Sequence, residues 1–177
     1  MAFCLGAIAI AIALASAGVA GAQGTEEGSW SFRGGLGFTA TPETFVLSGE
    51  FPYAIDDHMT LGPLIQLGVS DPRVILAPTA NFTYAFDLGS AQNEDVQKLR
   101  PFLQSGLGLA YIHRDNCGVF CDEDDVGFLF NLGFGLEYPV SDDVTVGSNM
   151  LFNILAPRTA GERFFFTWNL VTVRFGL

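Results

Sequence analysis

Large apolar side chains alternate with small or polar ones along most of the chain after residue 22. The final third shows the pattern most clearly, in the run Phe128, Phe130, Leu132, Phe134, Leu136 and Tyr138. The residues between these positions include Asn131, Gly133, Gly135 and Glu137. A period of two predicts β-strands whose two faces meet different surroundings. We therefore predict an all-β fold.

The alternating runs predict eight antiparallel strands. Their approximate ranges are 30–39, 44–54, 59–70, 74–86, 100–113, 126–138, 144–155 and 164–177. Most of these runs reach the roughly 9–11 residues that a tilted strand needs to cross a bilayer. Strands of ordinary globular domains average only about 5–6 residues. The lengths therefore favour strands that span a membrane.

The two faces of the predicted strands indicate which one lies inside. One face is apolar and rich in phenylalanine, whereas the other carries Gly, Asn, Gln, Ser and Thr with almost no Lys. Aromatic residues lie near the strand ends, as in the aromatic belts of membrane barrels: Trp30, Tyr53, Phe86, Tyr111 and Tyr138. An open sheet would leave edge amides unpaired in lipid, so a membrane location requires a closed up-and-down barrel. The alternative is a soluble sandwich or lipocalin-like fold.

The distribution of charge supports the membrane interpretation. The 177 residues combine a positive mean hydropathy of +0.35 with a formal net charge of -11. Almost all acidic residues cluster in predicted turns or tails, and only Glu50 and Glu137 fall inside apolar stretches. The 8 Lys and Arg against 19 Asp and Glu exclude nucleic acid as an expected partner, because phosphate contacts need a basic face.

The N-terminus has the pattern of a secretory signal peptide. Residues 2–22 are uncharged and consist of small or apolar residues, and Ala20-Gly21-Ala22 forms a small-residue cleavage site. We therefore expect a signal peptide at 1–22 and a barrel at 23–177. The alternative is a retained membrane anchor. No Lys or Arg lies between Met1 and the apolar run, so the positively charged start of a typical signal peptide is missing.

The predicted loop at 114–125 combines two cysteines with an acidic cluster. Cys117 and Cys121 are expected to form a disulfide outside the cytoplasm, because two cysteines alone supply too few ligands for a metal. The acidic residues offer hard oxygen ligands for Ca²⁺ or Mg²⁺: Asp122, Glu123, Asp124 and Asp125. Their contiguous spacing differs from that of a calcium loop, so a solvated acidic tip is the competing interpretation.

A charged network is predicted inside the barrel. If the first hairpin is symmetric about 41–42, Arg33 and Glu50 face each other on the inward face of adjacent strands. Arg100, Glu137 and Arg174 are expected at a similar height. An eight-stranded barrel is only just wide enough for its side chains, so such a network would plug the lumen. The alternative is a water-filled lumen in which the charges act separately.

The sequence offers little support for an enzyme. Of the two histidines, His113 is expected at a strand end and His58 in a turn. A lipid-modifying hydrolase would need a serine beside His113, and Ser70 is the only candidate on the same predicted side. The chain has no phosphate loop, zinc motif or heme signature, so we expect no cofactor.

Three sets of short motifs occur in order along the chain. They are Arg100-Pro101-Phe102 leading into 106–111, Asp-Asp turns after Tyr53 and Tyr138, and an aromatic C-terminal strand at 171–177. Together they resemble the small outer-membrane β-barrel family that includes the OmpA transmembrane domain and the OmpX-like proteins. The resemblance covers essentially all of 23–177.

The resemblance implies a location and a set of partners. It implies a Gram-negative outer membrane, periplasmic termini, and outward loops near 40–43, 71–73, 114–125 and 156–163. Expected partners are outer-membrane lipids, lipopolysaccharide and the barrel-assembly machinery, with the chain itself a monomer. The function predicted is a non-enzymatic structural or surface-contact barrel with a plugged lumen. The alternatives are a narrow transport barrel for small or apolar solutes and, third, a lipid-modifying enzyme.

Overall fold

The computed structural model describes residues 27–71, 73–88, 94–115 and 122–177. The predicted signal peptide and the Cys117–Cys121 disulfide lie outside the described residues and remain predictions. The described residues form nine strands: β1 Ser31–Ala40, β2 Thr44–Glu50, β3 Tyr53–Ala54, β4 Met59–Ser70, β5 Arg73–Ala85, β6 Arg100–Asp115, β7 Asp122–Pro139, β8 Val144–Thr159 and β9 Glu162–Gly176.

The sheet is antiparallel throughout and closes on itself. Strands that are neighbours in sequence pair with each other except β2 and β3, which both pair with β4, and β9 pairs with β1. Strands β2 and β3 both pair with β4 in one unbroken register, because Glu50 faces Leu64 and Tyr53 faces Leu61. Pro52 separates them because it has no N–H to donate to the ladder. The two segments therefore form one wall strand, and the predicted closed barrel of eight strands is confirmed.

The strands at one end of the barrel are longer than the apolar pattern predicts. Strand β6 continues to Asp115, β7 begins at Asp122, β8 continues to Thr159 and β9 begins at Glu162. The predicted loops at 114–125 and 156–163 are therefore wrong in extent. Backbone pairing continues past the apolar stretch because ladder hydrogen bonds do not depend on side-chain polarity.

The predicted sidedness of the strands is present in the structure. Phe128 is 70% exposed on the outer wall, whereas the side chains of Asn131 and Asn153 are fully buried inside. The outer wall carries a continuous set of exposed phenylalanine, leucine and valine side chains from all the wall strands. Among the described residues, no helix is long and apolar enough to cross a bilayer, and the connection before β6 contains one helical turn at Glu94–Gln97.

A β-bulge interrupts the pairing between the first and last strands. Leu36 faces Val171 and Gly37 faces Asn169, so Leu170 is an extra residue in β9. The Ser148 hydroxyl donates a hydrogen bond to the Asn169 carbonyl oxygen at 2.9 Å. The bulge is therefore a defined feature of the wall, with its exposed carbonyl group satisfied.

Gly37 lies where the bulged strand approaches β1 most closely. A Cβ at Gly37 would overlap the carbonyl oxygen of Trp168, whereas a Cβ at Gly34 would lie 3.4 Å from the nearest Phe32 atom. Gly37→Ala is therefore expected to lower the free energy of unfolding by about 1–3 kcal/mol, the usual cost of overpacking. Gly34→Ala is the matched control and should lie within about 0.5 kcal/mol of the wild type. Urea unfolding in phosphatidylcholine vesicles measures both, and equal losses would contradict the proposed clash.

Candidate functional site in the barrel lumen

Four charged side chains form a buried cluster near the end of the barrel that holds the chain termini. Arg33 Nη1 lies 2.8 Å from Glu50 Oε2, and Arg33 Nη2 lies 2.7 Å from Glu137 Oε1. Arg174 Nη2 lies 3.0 Å from the other oxygen of Glu137. Three of these side chains are at most 5% exposed and Arg174 is 13% exposed. With two guanidinium groups and two carboxylates, the cluster is formally neutral.

The barrel geometry brings these four residues together from four different strands. Arg33 on β1 faces Glu50 on β2, in the register that the sequence predicts. Arg33 also directly faces Arg174 on β9, which places two like charges opposite each other. Glu137 lies on β7, which pairs with neither β1 nor β9. Its carboxylate reaches across the lumen and separates the two guanidinium groups.

Neutral side chains complete the surroundings of the cluster. The Arg33 guanidinium carbon lies 5.0 Å from the ring centre of Phe102, a cation–π distance. Gln104 Nε2 donates a hydrogen bond to Glu50 Oε1 at 3.0 Å. A cavity of about 10 Å³ beside the cluster is comparable to the space that one water molecule needs. The charged cluster therefore has neutral partners beside its own ion pairs.

Arg100 does not join the cluster in the predicted way. Its backbone faces Glu137 in the β6–β7 register, and it lines the same small cavity. Its guanidinium, however, donates a hydrogen bond to the carbonyl oxygen of Asp57 at 2.8 Å and lies 3.6 Å from Asp87. Because Arg100 is the first residue of its strand, its side chain can reach the turns that close this end of the barrel.

A layer of amide and hydroxyl side chains fills the middle of the lumen. Asn149 Nδ2 donates to Gln104 Oε1 at 3.2 Å, and Asn169 Nδ2 donates to Asn149 Oδ1 at 2.8 Å. Ser48 donates to Asn169 Oδ1 at 3.1 Å. These bonds connect the charged cluster to the amide layer through Gln104. The sequence predicts inward amides, but these particular links depend on strand tilt.

An apolar layer fills the half of the lumen farther from the chain termini. Its side chains are buried and form one cluster: Ile75, Ala77, Ala110, Ile112, Leu129, Leu155, Ala160 and Phe165. The sequence predicts Gly, Asn, Gln, Ser and Thr on the inward face, whereas the inward side chains of this half are apolar. These residues occupy the same alternate positions as the inward amides, so parity could have identified them. They were not identified because the polar residues of the middle layer made the whole inward face look polar.

Charged residues cap the apolar layer at the far end. Arg114 Nη2 donates to the carbonyl oxygen of Ala160 at 2.9 Å and lies 3.5 Å from Glu162 Oε1. Arg73 lies 3.9 Å from the same Glu162 oxygen. Asp125 Oδ2 accepts a hydrogen bond from the Ala160 N–H at 2.7 Å. These contacts tie the turn between β8 and β9 to the neighbouring strands.

The acidic residues 122–125 belong to the start of β7, whereas the sequence pattern predicts a loop there; cation binding by these residues stays a prediction. Asp124 accepts hydrogen bonds from the Tyr111 hydroxyl at 2.7 Å and shares one with His113 Nδ1 at 2.6 Å on the outer wall. Asp125 is turned to the inner face. Consecutive strand residues point to opposite faces, so the carboxylates of Asp124 and Asp125 diverge. In the described part of the chain, no group of three or more His, Cys, Asp or Glu could hold a metal ion.

Comparison with known proteins identifies the fold. No family model and no curated protein matches the chain. The N-terminal β-barrel domain of Pseudomonas aeruginosa OprF matches with a TM-score of 0.64 at 14% identity, covering 85% of this chain and 98% of that chain. Neisserial surface protein A matches with a TM-score of 0.62 at 14% identity, covering 82% and 94%. The outer-membrane enzyme PagL matches with a TM-score of 0.51 at 14% identity, covering 82% and 98%.

The similarity establishes the fold of this chain as that of the small outer-membrane β-barrels. The sequence identities are too low to transfer an activity. An enzyme shares the fold with proteins not described as enzymes, so the fold alone leaves catalysis open.

Proposed function

We propose that this chain is an integral outer-membrane β-barrel that is not an enzyme, has a closed lumen, and serves a structural or surface-contact role. The observation that carries the proposal is the presence of a charged cluster, an amide layer and an apolar layer inside the lumen, which together support a closed lumen. A membrane location is supported by the exposed apolar outer wall. Outer-membrane lipids, lipopolysaccharide and the assembly machinery are the partners expected from this location.

The layered interior argues against a transport barrel. An ion that passed the charged cluster and the amide layer would then meet side chains such as Ile112, Leu129 and Phe165, which offer it no hydrogen-bonding group. Moving an unpaired charge into such surroundings is strongly unfavourable. A solute of any size would also have to displace packed side chains. The transport alternative therefore requires a conformation that differs from this one.

The outer wall carries one contact relevant to the enzyme alternative. His113 and Asp124 form a pair of the kind that can orient a general base. The residues that face His113 on the two adjacent strands are Val74 and Asp124, and neither supplies the serine that this alternative needs.

If the lumen is closed as proposed, the purified chain is expected to give no stable open-channel current in planar lipid bilayers. A porin with a water-filled channel, inserted under the same conditions, is the positive control. Heat-modifiable mobility on a gel would show that the inserted chain is folded. A large, stable conductance would contradict the closed lumen, and recovery of the chain only in the soluble fraction would contradict the membrane location.

A further inference from the structure

An apolar groove lies on the outer wall where β9 meets β1 and β2. Its volume is about 650 Å³, within the range of about 300–1,000 Å³ typical of ligand clefts. Its principal apolar walls are Leu36, Phe38, Phe45, Leu170 and Val171. All five side chains are exposed on the outer surface. The apolar walls of the groove therefore belong to the outer face of the barrel.

The bulge in β9 helps to create this groove. Leu170 and Val171 are consecutive residues, yet both are exposed on the outer wall, because the extra residue interrupts the alternation. The neighbouring Trp168 packs edge-on against Phe38, with ring centres 5.6 Å apart, and donates its indole N–H to the Ser148 hydroxyl at 3.1 Å. These contacts hold one wall of the groove in place.

The groove runs to the tip of the first hairpin. Glu43 and Ser70 line its polar end, beside the turn that joins β1 to β2. The apolar remainder continues into the exposed apolar surface of the neighbouring strands. In the proposed membrane location, the groove therefore opens to the leaflet at the end of the barrel opposite the chain termini.

The chemistry of this position selects the occupant. A peptide segment would bring unpaired backbone amides into hydrocarbon, which costs several kcal/mol per group. A second barrel would present a convex wall, which cannot fill a concave groove. A hydrocarbon chain is flexible, needs no hydrogen bonds and is already present in the bilayer. We propose that the groove holds an acyl chain of a membrane lipid from that leaflet, an inference that rests on the proposed membrane location.

Filling the groove tests this proposal. Ala40 is the small outward residue of β1 that lines the groove, and Ala40→Phe would occupy the space. Ala80→Phe is the matched control, because Ala80 is an exposed outward residue on β5, away from the groove. The full chain and both variants are folded in dioleoylphosphatidylcholine vesicles, extracted in mild detergent, and analysed by native mass spectrometry.

The wild type and Ala80→Phe are expected to retain a bound phosphatidylcholine molecule. Ala40→Phe is expected to retain at least about tenfold less, the loss that about two methylene contacts would give. Val171→Phe fills the same groove from the other side and serves if Ala40→Phe does not fold. Folding of every variant is verified by heat-modifiable mobility, which also tests the membrane barrel itself.

Three outcomes would overturn the groove assignment while leaving the proposed function intact. In the first, the wild-type barrel is folded but retains no lipid. In the second, the wild type and the groove-filled variant retain equal amounts of lipid. In the third, the spectrum shows the mass of a dimer in place of a barrel with bound lipid. Failure of the wild type to insert into vesicles would instead remove the proposed membrane location on which the inference rests.

Discussion

Glu137→Gln is expected to lower the free energy of unfolding by roughly 3–5 kcal/mol, the usual loss when one member of a buried ion pair is removed. Glu137 bridges Arg33 and Arg174, whose backbones face each other across the β1–β9 pair. Glutamine preserves the size of the side chain but not its negative charge. The variant would leave two buried guanidinium groups with Glu50 as the remaining anion of the cluster. Urea unfolding of the folded barrel in phosphatidylcholine vesicles measures the loss.

Two further variants separate this effect from a general loss of acidic charge. Asp142→Asn changes an exposed acid in the turn before β8 and should stay within about 0.5 kcal/mol of the wild type. The double variant Glu137→Gln/Arg174→Gln also removes one of the two opposed cations. Its loss in free energy of unfolding should therefore be smaller than the sum of the two single-variant losses by about 0.5–3 kcal/mol. Strict additivity, or a loss no larger than that of Asp142→Asn, would contradict the bridging role.

Phe165→Ala is expected to destabilise the barrel by about 3–5 kcal/mol, because it opens a cavity in the apolar layer. Phe165 is 1% exposed and packs with Ile112, Leu129 and Leu155 inside the lumen. The surrounding strands are joined by ladder hydrogen bonds on both sides, so the wall cannot easily collapse into the space. The same vesicle unfolding measurement gives the effect.

The adjacent residue provides a closely matched control. Phe164 is one position earlier on β9 and is exposed on the outer wall. In Phe164→Ala, lipid chains can fill the space that the ring leaves, so the loss of stability should be markedly smaller than for Phe165→Ala. Equal losses for the two variants would show that the apolar layer is not a packed core.

The strand positions could be predicted from sequence because lipid outside and a narrow lumen inside impose a strict period of two. The facing of Arg33 and Glu50 could also be predicted, because a short hairpin fixes the register of its own two strands. For Glu137, the sequence could predict only that the residue lies at a height along the barrel similar to that of Arg33 and Glu50. Its contact with Arg33 crosses the lumen and depends on strand tilt and stagger, which a sequence pattern does not encode.

Other features were missed because they depend on backbone pairing or on position along the barrel axis. The hydrophobic pattern does not reveal the bulge at Leu170, because Leu170 and Val171 look like an ordinary pair of apolar strand residues. The acidic start of β7 resembles a loop in composition, yet it pairs with the end of β6 through backbone groups. Arg100 was expected at a height similar to that of Glu137 and faces it in the β6–β7 register, but the contacts of its guanidinium with the turns were not predicted.

The position of Glu137 has a consequence for the order in which the chain acquires its structure. Arg33 belongs to the first wall strand and Arg174 to the last, and both contact this one carboxylate. An intermediate that lacks the final strand leaves Glu137 without one of its two cationic neighbours. The complete arrangement of charges can form only when the two ends of the sheet join, so charge neutralisation depends on ring closure.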